Sequence, residues 1–298
     1  MPARGIRGIM DGLAASRAAA ARPFPAPMYP PATALIVVDL QPDFMPGGAL
    51  PCHQGDAIVP AIDALLRSGT YRTVVATQDW HPRGHASFAS SHPGRQPFDS
   101  IALHGHPQTL WPDHCVQGTA GAALDPRVQW DSVDLVLRKG SSPQVDSYSA
   151  FQENHGPDGV RPPTGLAGWL RERGITEVHV CGLARDYCVL WTAQDARAAG
   201  FQVGVLWDLS RPVSPESDAP TRTALEAAGI AILLPQPQSC APADDPPPQP
   251  PEKPLPAECC ESGCPICVYD LYAEALDEYR QALAAWQQRH PDAGGGNG

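Results

Sequence analysis

No run of apolar residues in this 298-residue chain approaches the length that spans a bilayer, and no secretory h-region stands near its start. A membrane-embedded role is therefore not expected. Positive charge is also scarce, with 21 Lys and Arg against 32 Asp and Glu and a formal net charge of −11. That balance argues against nucleic acid or an anionic bilayer as a main partner and favours a small ligand. Cysteines number nine, an odd count without a secretory signal, so a reducing cytoplasm is expected and a disulfide framework is not. What remains, 43% hydrophobic and 18% charged, is an ordinary soluble composition, long enough for one sizeable core plus something smaller.

Residues 1–31 hold Ala, Arg and Pro with few apolar anchors and read as a disordered or leader segment, with a start at Met28 as the alternative to Met1. From residue 32 to 235 strand-like and helix-like patterns alternate. Strands are expected at 34–40, 72–78, 133–138, 178–182, 202–208 and 230–234, and helices at 56–67, 166–173, 189–199 and 221–228. Near-continuous apolar strands separated by helices imply an α/β domain of three layers, a parallel sheet flanked by helices on both faces. The ligand crevice of such a sheet lies beyond the carboxyl ends of its strands. There, the first strand ends on Asp39, the second on Asp79 and the third on Lys139, and the fourth leads into 184–188. A single Asp or Lys at a strand end is usually a solvated terminus, but four such groups at one edge are hard to assign to packing.

The stretch 178–188 (VHVCGLARDYC) is the centre of this pattern. Cys188 falls where a strand hands over to a helix, where unpaired backbone N–H groups and the helix dipole ease thiol ionisation and hold an oxyanion. The alternative is a small buried hydrophobe, the usual state of a free cysteine and the reading given to Cys181.

Taken together, ALIVVDLQPDF with MPGGAL, ATQDWHPRGHASF, LWPDHCVQGT, the RKG step, DSYSAF and CGLARDYCV resemble the nicotinamidase branch of the isochorismatase-like cysteine hydrolases, over about 34–234 and in family order. The resemblance implies a catalytic triad of Asp39, Lys139 and Cys188. It implies a divalent metal on Asp79, His81 and His114, with His85 as a further ligand, and oxyanion donors at the backbone of Ala184 and Cys188. It also implies a cis peptide at Leu183–Ala184. Phe44, Trp111 and Tyr148 match positions that wall the substrate ring, each with plain packing as its alternative.

The residues support these roles chemically. A carboxylate can take a thiol proton, and an ammonium can stabilise the thiolate. Asp79 and His81 stand two apart and point to one side of an extended chain. One carboxylate with two or three imidazoles suits zinc, iron or manganese. The implied reaction is hydrolysis of nicotinamide to nicotinate and ammonia through a thioester, in NAD salvage. A related small-amide or N-carbamoyl hydrolase is the nearest rival, and an idle platform for the tail is a rival of another class. Self-association is left open.

Past residue 235 the composition changes. Ten prolines between 235 and 256 favour extended polyproline and make 236–256 a linker. Residues 257–298 form a Cys-rich module with a disordered end, and PEKPLPAECCESGCPICVYDLY resembles the oxidoreductase-like domain. Cys259, Cys260, Cys264 and Cys267 are read as a zinc site or a redox cluster. Tyr272, Leu276, Tyr279, Leu283 and Trp286 recur at spacings of four and three and mark one face of a helix, a candidate surface for an unknown partner.

Overall fold

In the computed structural model residues 30, 32–234, 248–255 and 268–289 are described. The leader expected at 1–31 falls almost wholly outside them, as do Cys259, Cys260, Cys264 and Cys267. The chain divides into two compact units between Leu234 and Pro235.

The first unit is built on strands β1 (Thr33–Val38), β2 (Thr73–Asp79), β3 (Ser100–Leu103), β4 (His106–Thr109), β5 (Leu135–Lys139), β6 (Glu177–Leu183), β7 (Gln202–Arg211) and β8 (Ala231–Leu233). Six of them form one sheet in the order β5-β2-β1-β6-β7-β8, with every neighbouring pair parallel. Helices α1 (Val59–Arg67), α2 (Leu166–Glu172), α3 (Leu190–Ala198) and α4 (Asp218–Ala227) cover it. The parallel α/β sandwich expected from the sequence is present.

Period-two geometry explains why both faces are apolar. Ala34, Ile36 and Val38 of β1 pack with Leu166, Leu170, Ala193 and Leu225 on one side. Leu35 and Val37 pack with Ile58, Ile62 and Leu66 on the other. All six residues of β1 are buried, so it reads as a continuous apolar run and not as an alternation.

The chain leaves β1 toward β2 and β5, then returns to place β6 on the opposite side of β1. The switch point of the sheet therefore lies between the carboxyl ends of β1 and β6, where such folds open a crevice. Gly182 holds these two strands close at that point. Its φ is +106°, and a Cβ there would collide with the backbone carbonyl of Val38.

Three local departures from the expected elements matter for the site. The helix expected at 56–67 starts as a 3-10 turn, Gly55–Ile58, before α1 begins at Val59 with a proline in its first turn. Between β6 and α3 stands one turn of π-helix, Arg185–Val189, so Cys188 lies inside a widened turn and not at the first residue of an α-helix. Residues 100–109 form an antiparallel β3–β4 hairpin that the sequence did not announce.

In the second unit, helix α5 (Val268–Arg289) carries Tyr272, Leu276, Tyr279, Leu283 and Trp286, as their spacing predicts. No helix among the described residues is long and apolar enough to cross a membrane.

Candidate active site

Asp39 follows β1 with a left-handed φ of 45°, which turns its side chain back under the strand ends. Thr77 of β2 fixes it there. The Asp39 N–H donates to Thr77 Oγ1 at 3.0 Å, and that hydroxyl donates to Asp39 Oδ1 at 2.6 Å. Lys139, the last residue of β5, lies one strand beyond, and its ammonium spans the gap. Nζ is 2.8 Å from Asp39 Oδ2, 3.0 Å from Asp79 Oδ1, 3.0 Å from the Ser147 carbonyl and 3.4 Å from Cys188 Sγ. Both Asp39 and Lys139 are 0% exposed. Side chains separated by up to 149 positions thus meet in one dry cluster.

Burial and charge oppose one another here. Burial alone would pull the Lys139 ammonium down, but Asp39, Asp79 and Cys188 outweigh it and hold lysine well above its usual value. Burial pushes the Asp39 carboxyl up, and Lys139 only partly offsets that. Burial also pushes the Cys188 thiol well up; Lys139 lowers it, while the two carboxylates and a hydrogen bond to Asp39 raise it further. The sequence suggested an easily ionised thiol at a helix start. The structure instead buries Cys188 in the core beside Lys139, and that burial outweighs the pull of the ammonium.

Beside this cluster, Asp79 Oδ2 lies 3.1 Å from His81 Nε2 and 3.4 Å from His114 Nε2. The three side chains are buried, with one donor atom of each within 4.8 Å of the others. Each imidazole is oriented by its other nitrogen: His81 Nδ1 contacts the Gly140 carbonyl at 3.0 Å and His114 Nδ1 the Pro112 carbonyl at 2.8 Å. A ring that donates from Nδ1 presents an Nε2 lone pair toward Asp79, the arrangement a divalent ion requires. The donor set fits such an ion. Without it, His81 and Lys139 hold the Asp79 carboxyl well below the usual range, against the burial that would raise it.

Residues that sequence reasoning missed hold this group in place. The Gln41 amide accepts from the Asp79 N–H at 2.7 Å and donates to the Asp79 carbonyl at 2.9 Å, continuing the β1–β2 ladder by side chain. Asp43 Oδ2 accepts the Cys115 N–H at 2.7 Å and so ties the His114 loop to the loop after β1. Gly140, with φ +65°, leaves room for the His81 ring where a Cβ would overlap it. Gln41 and Asp43 fall within the ALIVVDLQPDF stretch and Gly140 within the RKG step, but their partners become apparent only in the fold.

His85 sits next to His81, with ring centroids 4.3 Å apart, and groups with His81 and Asp146 rather than with Asp79 and His114. Its Nδ1 accepts the Ser87 N–H at 3.2 Å and its Nε2 faces the Val145 carbonyl at 3.2 Å. Both ring nitrogens are thus engaged in this arrangement.

Above Cys188 lies an apolar slot lined by Phe44, Leu50, Trp111, Tyr148, Tyr187 and Val213, with Ala184 and Cys188 also on its wall. The sequence named Phe44, Trp111 and Tyr148. Tyr187, packed edge-on to Trp111 at 4.7 Å, is not among them although it directly precedes Cys188. The Leu183–Ala184 peptide is cis. Cys52, Cys115 and Cys181 are buried free thiols outside the slot, and burial pushes each of them up.

Comparison with known proteins agrees with this geometry. The isochorismatase domain family matches residues 33–232, and the family "oxidoreductase-like protein, N-terminal" matches residues 246–288. A nicotinamidase of Acinetobacter baylyi is 50% identical over 181 residues, covering 60% of this chain and 81% of that protein. The Escherichia coli nicotinamidase is 45% identical over 206 residues, 68% of this chain and 94% of the relative. Among solved structures, an Acinetobacter baumanii nicotinamidase and pyrazinamidase superposes with a TM-score of 0.65 at 43% identity, over 69% of this chain and 97% of its own. L. infantum PnC1 in complex with nicotinate gives 0.60 at 40%, over 70% and 96%. A Pyrococcus horikoshii pyrazinamidase in complex with zinc gives 0.54 at 36%, over 68% and 99%. The catalytic-edge geometry and these matches lead to one assignment: the chain belongs to the isochorismatase family.

Proposed function

We propose that this protein is a nicotinamidase, a metal-dependent cysteine amidohydrolase that converts nicotinamide and water into nicotinate and ammonia. The contact of Lys139 with both Cys188 and Asp39, beside Asp79, His81 and His114, carries the reading. The nicotinamidases among its relatives and the nicotinate complex of a structural neighbour support it.

With the amide carbon over Cys188 Sγ, Asp39 takes the thiol proton as sulfur attacks. Lys139 stabilises the charge that passes through the cluster. The N–H groups of Ala184 and Cys188, both on the slot wall, are assigned to the developing oxyanion. Asp39 then returns the proton to the departing nitrogen, releasing ammonia and leaving a thioester. Water attacks the thioester with Asp39 again as base; the acid departs and the thiol is restored. Phe44, Trp111 and Tyr148 hold the ring. Asp79, His81 and His114, with His85 at the margin, would hold a divalent ion that supplies Lewis acidity toward the ring nitrogen. The donor set suits zinc, iron or manganese, and the zinc-bound P. horikoshii neighbour favours zinc.

Ammonia release from nicotinamide tests the assignment. Turnover is expected in metal-loaded protein, with loss on chelation and recovery on adding zinc. A metal-loaded protein inert toward nicotinamide would reject it. Gly140→Ala is expected to lower metal affinity by about 10- to 100-fold, because a Cβ at that left-handed position displaces His81. Competition against a chelator of known affinity measures the change.

We assign 32–235 to the hydrolase domain, 236–256 to a linker and 257–298 to an appended module that binds zinc or a partner. The four described cysteines all being free thiols supports a reducing, cytoplasmic setting.

A further inference from the structure

The slot over Cys188 is narrow, with a cavity volume of ≈ 20 Å³. Immediately beside it lies a second cavity of ≈ 260 Å³, lined by Leu103, Pro107, Asn154 and Trp191 among others. The two share Asp146 and Tyr148 on their walls, and nothing else. Whatever fixes those two side chains therefore decides whether the catalytic slot widens into the larger space.

Gln108 is the residue that fixes them. It stands on β4, is 5% exposed and faces the larger cavity but not the slot. Its Nε2 is 2.7 Å from Asp146 Oδ2, 3.0 Å from Tyr148 Oη and 2.8 Å from the Thr109 carbonyl. Two N–H bonds serve three acceptors, and the charged carboxylate is the strongest of them. Tyr148 Oη accepts in addition from Trp111 Nε1 at 3.1 Å, so the same hydroxyl joins Gln108 to the ring wall. Asp146 has its remaining oxygen on the Ser147 N–H at 2.8 Å, which leaves the carboxylate no freedom to follow a displaced tyrosine.

We propose that Gln108 is a positioning and specificity-determining residue: acting through Tyr148 and Asp146, it keeps the partition between the two cavities closed and so limits the slot to single-ring amides. The proposal rests on the amidase reading above and adds the device that sets substrate size. Loss of the Gln108 amide frees Tyr148 to swing toward the larger cavity, which loosens the hold on a small ring and admits a fused bicyclic amide. Ring hold is lost in binding more than in chemistry, because Gln108 touches none of the reacting groups.

The test uses the full-length, metal-loaded protein with nicotinamide and quinoline-3-carboxamide, comparing wild type with Gln108→Met, which keeps volume but not the donor, and Gln108→Ala. In both variants KM for nicotinamide should rise roughly tenfold with kcat changed far less, and the preference for nicotinamide over the bicyclic amide should fall by about tenfold or more. In a Tyr148→Phe background, Gln108→Met should have a much smaller further effect, since the two act on one contact. An unchanged preference in Gln108→Met, or a full additional effect of that substitution in Tyr148→Phe, overturns the proposal. Should Gln108→Ala fail to fold, the volume-matched methionine variant still decides the question. Wild-type protein inert toward nicotinamide would instead reject the amidase reading, so the two failures are distinct.

Discussion

Cys188→Ala should reduce ammonia release from nicotinamide by about 10⁴-fold or more, the scale at which removing a covalent nucleophile leaves only binding and polarisation. The size of the effect follows from the geometry. Cys188 Sγ is the only thiol on the slot wall among the described residues, and Cys52, Cys115 and Cys181 lie outside it, buried. None of them can substitute. The same substitution removes only a small side chain that packs in the core, so folding should be nearly intact and the Asp79, His81 and His114 group undisturbed. Mass spectrometry of acid-quenched reactions provides the second readout: wild type should carry a nicotinoyl adduct on Cys188 that the variant lacks. A variant that keeps turnover, or an adduct on another cysteine, would remove the triad assignment.

The high energetic demand of that thiol also shows which parts of the site a sequence reveals. β1 is legible as an unbroken buried run leading to Asp39, and β2 and β6 as β-branched strands buried almost throughout because both faces of the sheet are covered. That same rule placed Asp39, Asp79, Lys139 and Cys188 at one edge before any contact was known. The β3–β4 hairpin was not legible. Its strands are only four residues each, half of their residues are exposed, and Pro107 interrupts the strand pattern. With the hairpin went Gln108, a polar residue in a polar segment whose role arises only from the partners it meets. Sequence likewise locates Cys188 beside a helix start, but only the fold shows a π-helical turn in place of the α-helical one. His85 illustrates the converse. It stands within the motif, yet Ser87 and Val145 engage its ring nitrogens and turn it toward Asp146 rather than Asp79.

Lys139→Met is expected to destabilise the protein by about 3–5 kcal/mol as well as abolish turnover, because it strips the counter-charge from two buried carboxylates. Asp39 and Asp79 contact the ammonium at 2.8 and 3.0 Å from two different strand ends, so the lysine, beyond the catalytic role proposed for it, is the joint that lets β1 and β2 end in buried acids. Removing one partner of such a pair costs far more than removing both, since the penalty lies in the charge left behind. The double variant Lys139→Met/Asp39→Asn should therefore recover much of the lost stability while remaining inactive. A divalent ion on Asp79 supplies replacement charge, so the loss in the single variant should also shrink when metal is added. Denaturant unfolding of the three proteins, with and without zinc, reads the stabilities directly, and ammonia release reads the chemistry. A Lys139→Met protein as stable as wild type would mean that the buried acids are neutral without the lysine at no cost, and the picture of an ammonium holding the catalytic edge together would have to be abandoned.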